Sequence, residues 1–426
     1  MTATAAPTIE HIVVRSPQEI RRARFLGVLY FALALFVFIV FSMGSDPGVS
    51  ASFGLSRPTD TVQVPDAQVP VRGFNTSVAV VLAFLGAVQL TRGFGKKANV
   101  ILGVGLGLVV LAFLTWAAAD ASFSMAGMLS STIVRAVPIA LGALAGVLCE
   151  RVAIINIAIE GMLLMGAFVG VITASATGSL WVGVVCSIAS GVILSWILAV
   201  LSIRYRVDQI ITGVFINIFA LGLTSFLTSR ILVEYPDLNN AGRFQPYAIP
   251  LLSDIPVIGP LLFNNSIFVY VTFLLVAFLQ WALFRTRWGL RSRSVGEQPK
   301  AADTLGINVF RTRYRNVLLG GIVAGFGGAY FTLGSVGRFD ENMTNGRGFI
   351  GLAAMIFGRW HPVGALGAAL VFGFADSLQQ KLAILKTPIP SEFLLMAPYL
   401  ATIIVVAGLV GRARPPAADG QPYVKE

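Results

Sequence analysis

Apolar residues run for about twenty positions at a time along this chain, separated by short polar stretches. The runs fall at residues 25–43, 74–91, 99–118, 129–148, 152–174, 180–202, 209–231, 267–284, 316–336 and 393–411. A hydrocarbon core of roughly 30 Å takes about 20 helical residues to cross, so each run predicts a spanning helix. One more apolar region, residues 348–381, is interrupted by Gly358-Arg359-Trp360-His361-Pro362.

Lysine and arginine then orient the spans, because they are enriched in cytoplasmic loops. Residues 285–315 hold Arg285, Arg287, Arg291, Arg293, Lys300, Arg311, Arg313 and Arg315 against only Glu297 and Asp303. That loop is expected inside. Residues 234–266 carry one basic residue, Arg243, beside Glu234, Asp237 and Asp254, and are expected outside. Alternation puts Arg204 and Arg206, Arg92 with Lys96 and Lys97, and Arg21, Arg22 and Arg24 inside, and with Arg412 and Arg414 makes both termini cytoplasmic. An even number of crossings must lie between Arg347 and the last span. The interrupted region therefore divides into residues 349–357 and 363–380, the first too short for an ordinary crossing and suited to a broken or re-entrant element that lines a cavity. The expected fold is all-α, a polytopic transmembrane helical bundle of about 10 to 12 membrane segments including broken or short helices.

Composition agrees. Of 426 residues, 56% are hydrophobic and 12% charged, the latter about half the usual soluble fraction. The net charge of +11 sits in short loops instead of one stripe, which argues against nucleic acid. Two cysteines imply no disulfide framework, and His11 and His361 are too few and too far apart for a metal site. The arginines before the first run resemble a signal peptide, but the run is too long for one, and an uncleaved first span is expected. Residues 44–73 read as a solvated outer loop. Glycines four apart, such as Gly321 and Gly325, suit close helix packing.

No catalytic constellation or cofactor site is legible. The stretch Arg92-Gly93-Phe94-Gly95-Lys96-Lys97 lacks the spacing of a phosphate-binding loop, so energy must come from an ion gradient or from a separate ATPase. Asn156 and Glu160 lie four residues apart on one helix face inside an apolar stretch, where a carboxylate is costly. Glu160 is either a pathway residue or a purely architectural group near a helix break. Residues 288–307 predict a short helix started by Pro299 at a first-turn position, with Ala302 and Gly306 leaving a shallow face for another protein, or else a solvated basic loop.

Four segments carry a resemblance: ERVAIINIAIEGMLLMGAF at 150–168, VGEQPKAADTLGI at 295–307, GRGFIGLAAMIFGRWHPVGALGAALVFGFADSLQ at 346–379, and the tail from Ala397-Pro398-Tyr399 to Gln421-Pro422-Tyr423-Val424-Lys425. Together they resemble the permease subunits of the branched-chain-amino-acid and sugar class of ABC importers, within it the nucleoside branch. The resemblance covers roughly residues 127–426, the expected permease core. Residues 1–126, with about three spans, form an N-terminal extension outside it. It implies a plasma-membrane permease working by alternating access, with an ABC ATPase, a second homologous permease and an extracytoplasmic solute-binding lipoprotein as partners. It also implies that Glu297, Pro299, Ala301, Ala302 and Gly306 form the ATPase coupling loop. Ala158, where the family usually has glycine, and Asp303, where it often has a longer acid, depart from the pattern.

A nucleoside path needs aromatic surface for the base and neutral hydrogen-bonding groups for the ribose. The pathway candidates are Asn156, Glu160, Thr212, Asn217 and Phe349, each open to the alternative that it only packs. Competing readings are a sugar permease of the same class, an ion-coupled secondary transporter using Glu160 or Asp376, and a membrane-embedded enzyme. A helix with a small-residue face in the largest cytoplasmic loop favours the ABC permease.

Overall fold

A computed structural model describes residues 17–58, 60, 62–384, 396 and 414–425. The expected span at 393–411 lies, apart from Met396, outside the described residues, as do Ala397-Pro398-Tyr399 and Arg412. Among the described residues, ten helices are long and apolar enough to cross a membrane. The chain forms two compact units, one of residues 1–54 and 65–123, the other of residues 55–64 and 124–426.

In the first unit, α1 (Pro17–Phe36) continues through π-type turns to Met43, and α2 (Val71–Thr91) and α3 (Ala98–Ala117) follow. The stretch expected to be a solvated loop instead contains β1 (Ser50–Gly54) and β2 (Ala67–Pro70), paired antiparallel with Ser50 opposite Pro70 and Phe53 opposite Ala67. Ala51 and Phe53 alternate inward and are buried, and Phe53 meets Phe123 edge-on with ring centroids 6.0 Å apart. Two apolar residues among polar neighbours are too faint a pattern to read locally.

The second unit comprises α4 (Met125–Glu150), α5 (Ile159–Thr177), α6 (Leu180–Ala199), α7 (Gln209–Leu227), the single turn α8 (Ile258–Leu262), α9 (Ile267–Arg285), α10 (Arg287–Glu297), α11 (Pro299–Thr304), α12 (Val309–Phe331, extended by π-type turns to Val336), α13 (Arg347–Phe357) and α14 (Pro362–Ile384). The most apolar window of α4 is 89% buried and that of α7 only 28%. Thus α4 is the axis of the unit, while α7 turns an apolar face outward. The Ser187 hydroxyl lies 2.8 Å from the Gly166 carbonyl and 2.7 Å from that of Gly325, tying α5, α6 and α12 together. Small residues allow that approach.

Two interruptions shape the unit. The single span expected at 152–174 starts only at Ile159, leaving residues 151–158 irregular, with Ala153 at φ 62°. Hydropathy does not register this break because the segment is as apolar as a helix. Its backbone is satisfied by side chains, the Ile155 N–H donating to Gln209 Oε1 at 2.7 Å. The second interruption follows the expected division: α13 and α14 are separate helices joined by a turn in which Arg359 and Trp360 take φ of 54° and 56°. Such residues cost about 1–3 kcal/mol each and persist only where their surroundings hold them. Here Arg151 donates from Nε and Nη2 to the Trp360 carbonyl at 2.9 and 2.8 Å, and the Trp360 indole donates to Glu150 Oε2 at 2.5 Å.

Candidate functional site

The break before α5 places Glu160 in the first turn of that helix, where a carboxylate complements the unpaired N–H groups. Its side chain reaches a second helix start. Oε1 accepts from the Gly346 N–H at 2.8 Å and Oε2 from the Gly348 N–H at 2.6 Å, so one carboxylate caps α13 while standing at the start of α5. Two positive helix ends converge on one negative charge. Gly348 is required by contact: a Cβ there would lie 2.6 Å from both the N and Cα of Glu160.

Asn217, from the middle of α7, completes the arrangement. Its Oδ1 accepts from the Gly161 N–H at 2.7 Å and its Nδ2 donates to the Ile157 carbonyl at 2.9 Å, bridging the break. Beside these groups lies a cavity of about 280 Å³ whose walls include Glu160, Leu164, Asn217, Ile218, Asn342 and Phe349. Phe349 is 48% exposed. Among the described residues, no lysine or arginine lines it. The cavity offers an aromatic face and neutral polar groups, with the one carboxylate already bound to backbone donors.

Three of the five pathway candidates, Glu160, Asn217 and Phe349, thus meet at one cavity, and two do not. Asn156 is fully buried, its amide within 3.4 Å of the Cys149 sulfur and 3.9 Å of that of Met162. Thr212 is buried and its hydroxyl bonds back to the Asp208 carbonyl at 2.8 Å. Both belong to the packing; the helix break rotates Asn156 away from the face that an unbroken helix would share with Glu160. Gly346 and Gly348, which Glu160 meets across more than 180 positions of chain, and Asn342, which lines the same cavity, were not legible as site residues.

A larger cavity of about 630 Å³ lies on the other side of residues 340–347, with Arg135, Tyr330, Phe331, Glu341 and Arg347 in its walls. Asp376 bridges Arg135 (2.7 Å) and Arg347 (3.5 Å), and the Arg347 guanidinium lies 5.9 Å from the Phe331 ring centre. Asp376, a carboxylate singled out in the secondary-transporter reading, is here the joint between α4, α13 and α14. Arginine inside an apolar run was the available signal for this cluster.

At the opposite end of α4 lies the expected coupling loop. Pro299 starts α11, and the helix closes where the Ile307 N–H meets the Ala302 carbonyl at 3.0 Å with Gly306 at φ +79°, a conformation glycine adopts without strain. The open small-residue face expected of Ala302 and Gly306 does not form. Ala302 is 2% exposed and packs within its own chain, and the helix ends at Thr304, so position 306 no longer continues its face. Lys300, Ala301, Thr304 and Leu305 are exposed instead, Leu305 by 82%. Glu297 is exposed, and its Oε2 accepts from the Ala417 N–H at 3.2 Å.

That bond belongs to a strap formed by residues 414–425. The Ala418 N–H donates to Gly296 O (3.0 Å), Arg313 donates to Gln421 O (3.1 Å), Tyr423 packs on Phe310 (5.3 Å) and Lys425 lies 3.9 Å from Asp303. Burial pushes the carboxyl of Asp419, a neighbour of Glu150, up to about 6. Burial, with Arg293 nearby, lowers Arg151 to about 10. His361, stacked on Phe284 at 4.3 Å, is lowered by burial and by Arg151, Arg293 and Arg359.

A bundle of spanning helices with helix starts converging on an internal cavity, and a short connecting helix with an exposed tip, defines a membrane permease. The chain belongs to the family described as the permease component of branched-chain amino acid transport systems, whose model matches residues 128–411. It is 42% identical over 304 residues to the guanosine ABC transporter permease protein NupQ of Bacillus subtilis, covering 69% of this chain and 95% of that protein. It is 40% identical to the nucleoside ABC transporter permease protein NupC of Lactococcus lactis, covering 70% and 96%. A putative glucose ABC transporter permease protein of Haloferax volcanii, TsgC13, is 32% identical over 67% of this chain and 92% of its own. No solved structure matches. The chain is accordingly a multi-pass membrane permease subunit of an ABC transporter, a transport component whose ATPase is a separate subunit and which works with a solute-binding protein.

Proposed function

We propose that this permease imports nucleosides by alternating access, the solute passing the cavity at Glu160, Asn217 and Phe349. The observation that carries the reading is the cavity's lining: an exposed aromatic ring, neutral amides and, among the described residues, no cation, which suits a flat base and a hydroxylated ribose better than a phosphate. The guanosine and nucleoside permeases at about 40% identity support the same class. Both termini and residues 285–315 face the cytoplasm, where the exposed tip at Ala301, Thr304 and Leu305 meets the ATPase and Glu297 and Pro299 shape that tip. A second homologous permease faces this one, and the solute-binding protein is a lipoprotein. Residues 1–126 are an extension to the permease core at 127–426. Movement of the coupling tip reaches the cavity through the strap and the Glu150–Ile159 break.

Uptake of labelled guanosine, adenosine, uridine and ribose in cells with and without the gene tests this. Loss of nucleoside uptake is expected. Loss of ribose uptake alone would assign the sugar branch, which the 32% identity to a putative glucose permease makes the second reading.

A further inference from the structure

A cavity of about 470 Å³ between α10 and the first turns of α12 is lined by Arg291, Arg311 and Arg315, with Trp288, Asn308 and Thr312 beside them. Among the described residues, none of the three guanidiniums has an ion-pair or hydrogen-bond partner and no carboxylate lines the cavity. Arg311 and Arg315 stand four residues apart on one helix face, a spacing at which like charges repel. All three arginines are exposed and solvated in the free chain, and a hollow that gathers three cations favours an anion over a cation.

Its position says which kind. The helix Val309–Val336 has 28 residues, about 42 Å at 1.5 Å per residue, some 12 Å more than a hydrocarbon core. Its apolar sequence begins at Val317, so the excess falls at the Val309 end and sets Arg311, Thr312 and Arg315 at headgroup depth. Trp288, of a residue type that collects at that depth, forms one wall. Leu290, next to Arg291, is 61% exposed, which suits acyl chains better than water.

We propose that this cavity binds the phosphate of an anionic phospholipid headgroup. Arginine presents forked donors to phosphate oxygens, and basic hollows between helices at the cytoplasmic surface suit anionic headgroups. The site is separate from the transport cavity and does not depend on which solute is carried.

The test is native mass spectrometry of the purified full-length chain titrated with phosphatidylglycerol, phosphatidylcholine, glycerol phosphate or inorganic phosphate. Phosphatidylglycerol is expected to bind saturably and phosphatidylcholine weakly. Arg291→Gln, Arg311→Gln or Arg315→Gln should each weaken the first bound phosphatidylglycerol about fivefold, and the triple variant about a hundredfold. Arg287→Gln, exposed outside the cavity, should leave it unchanged. If the triple variant does not fold, the single variants carry the result. Equal binding of the two lipids, or undiminished binding by all folded variants, would overturn the proposal. So would glycerol phosphate or inorganic phosphate binding as tightly as the lipid, which would make this a free-anion site. Unchanged lipid binding with loss of the copurifying ATPase would assign the arginines to an acidic protein partner.

Discussion

Glu150 and Glu160 stand at the two edges of one helix break, and they are satisfied in different ways. Glu160 accepts from two backbone N–H groups at the start of α13. Glu150 has an indole N–H and a second carboxyl, Asp419, for neighbours. The first arrangement uses donors the backbone cannot withdraw, within a contact that leaves no room for a side chain at Gly348. The second relies on side chains, one of which, Asp419, belongs to the strap of residues 414–425. The carboxylate at the cavity is thus held by backbone groups, and the one near residues 296–307 by side chains.

The largest effect is expected where Glu160 meets Gly348. Gly348→Ala places a methyl against Glu160 backbone atoms, an overpacking worth about 1–3 kcal/mol or more. Thermal melting of the purified protein should fall and transport should be lost. A normal melting temperature would show that the two helix starts are not in contact.

Next comes the coupling tip. Ala302→Trp should destabilise the chain itself by about 1–3 kcal/mol, because Ala302 is buried in its own unit. Ala301→Trp or Leu305→Asp, at exposed positions, should leave melting unchanged and reduce ATPase copurification and transport. If Ala302→Trp melts normally while Leu305→Asp transports normally, the docking face lies elsewhere.

Within the cavity, Asn217→Ala removes two bonds to the break, each worth about 1 kcal/mol, and should lower uptake several-fold. Thr212→Val, which loses only a bond to its own helix, should change uptake little. Equal effects would erase the distinction between a cavity residue and a packing residue.

The smallest effect is pH dependence of the strap. Asp419 is raised to about 6 from 3.8, so the docked strap holds its proton more tightly than a released one. Docking is therefore strongest below about pH 4 and loses that advantage as pH rises through 6. Limited proteolysis of the tail should be slower at pH 5 than at pH 7.5, and Asp419→Asn should remove the difference. Identical cleavage rates in the parent protein would detach Asp419 from the buried pair.

The expected spans among the described residues, apart from the start of the one at 152–174, the division of residues 348–381 and the start of α11 at Pro299 were legible in the chain, because bilayer thickness and proline geometry act through local sequence. The hidden strands of residues 44–73 were not legible, because two inward residues make too weak a period. Nor was the break after Glu150 legible, because irregular backbone can be as apolar as helix when distant amides such as Gln209 and Asn217 satisfy it. Tertiary structure alone decided which polar residues share the cavity. Glu160 and Gly348 meet across 188 positions, and Ala302 is buried because it packs into the core of its own unit. Local pattern specifies which segments are helical and where they stop suiting lipid, while the partners of a buried carboxylate are chosen by whichever distant backbone groups packing leaves unpaired.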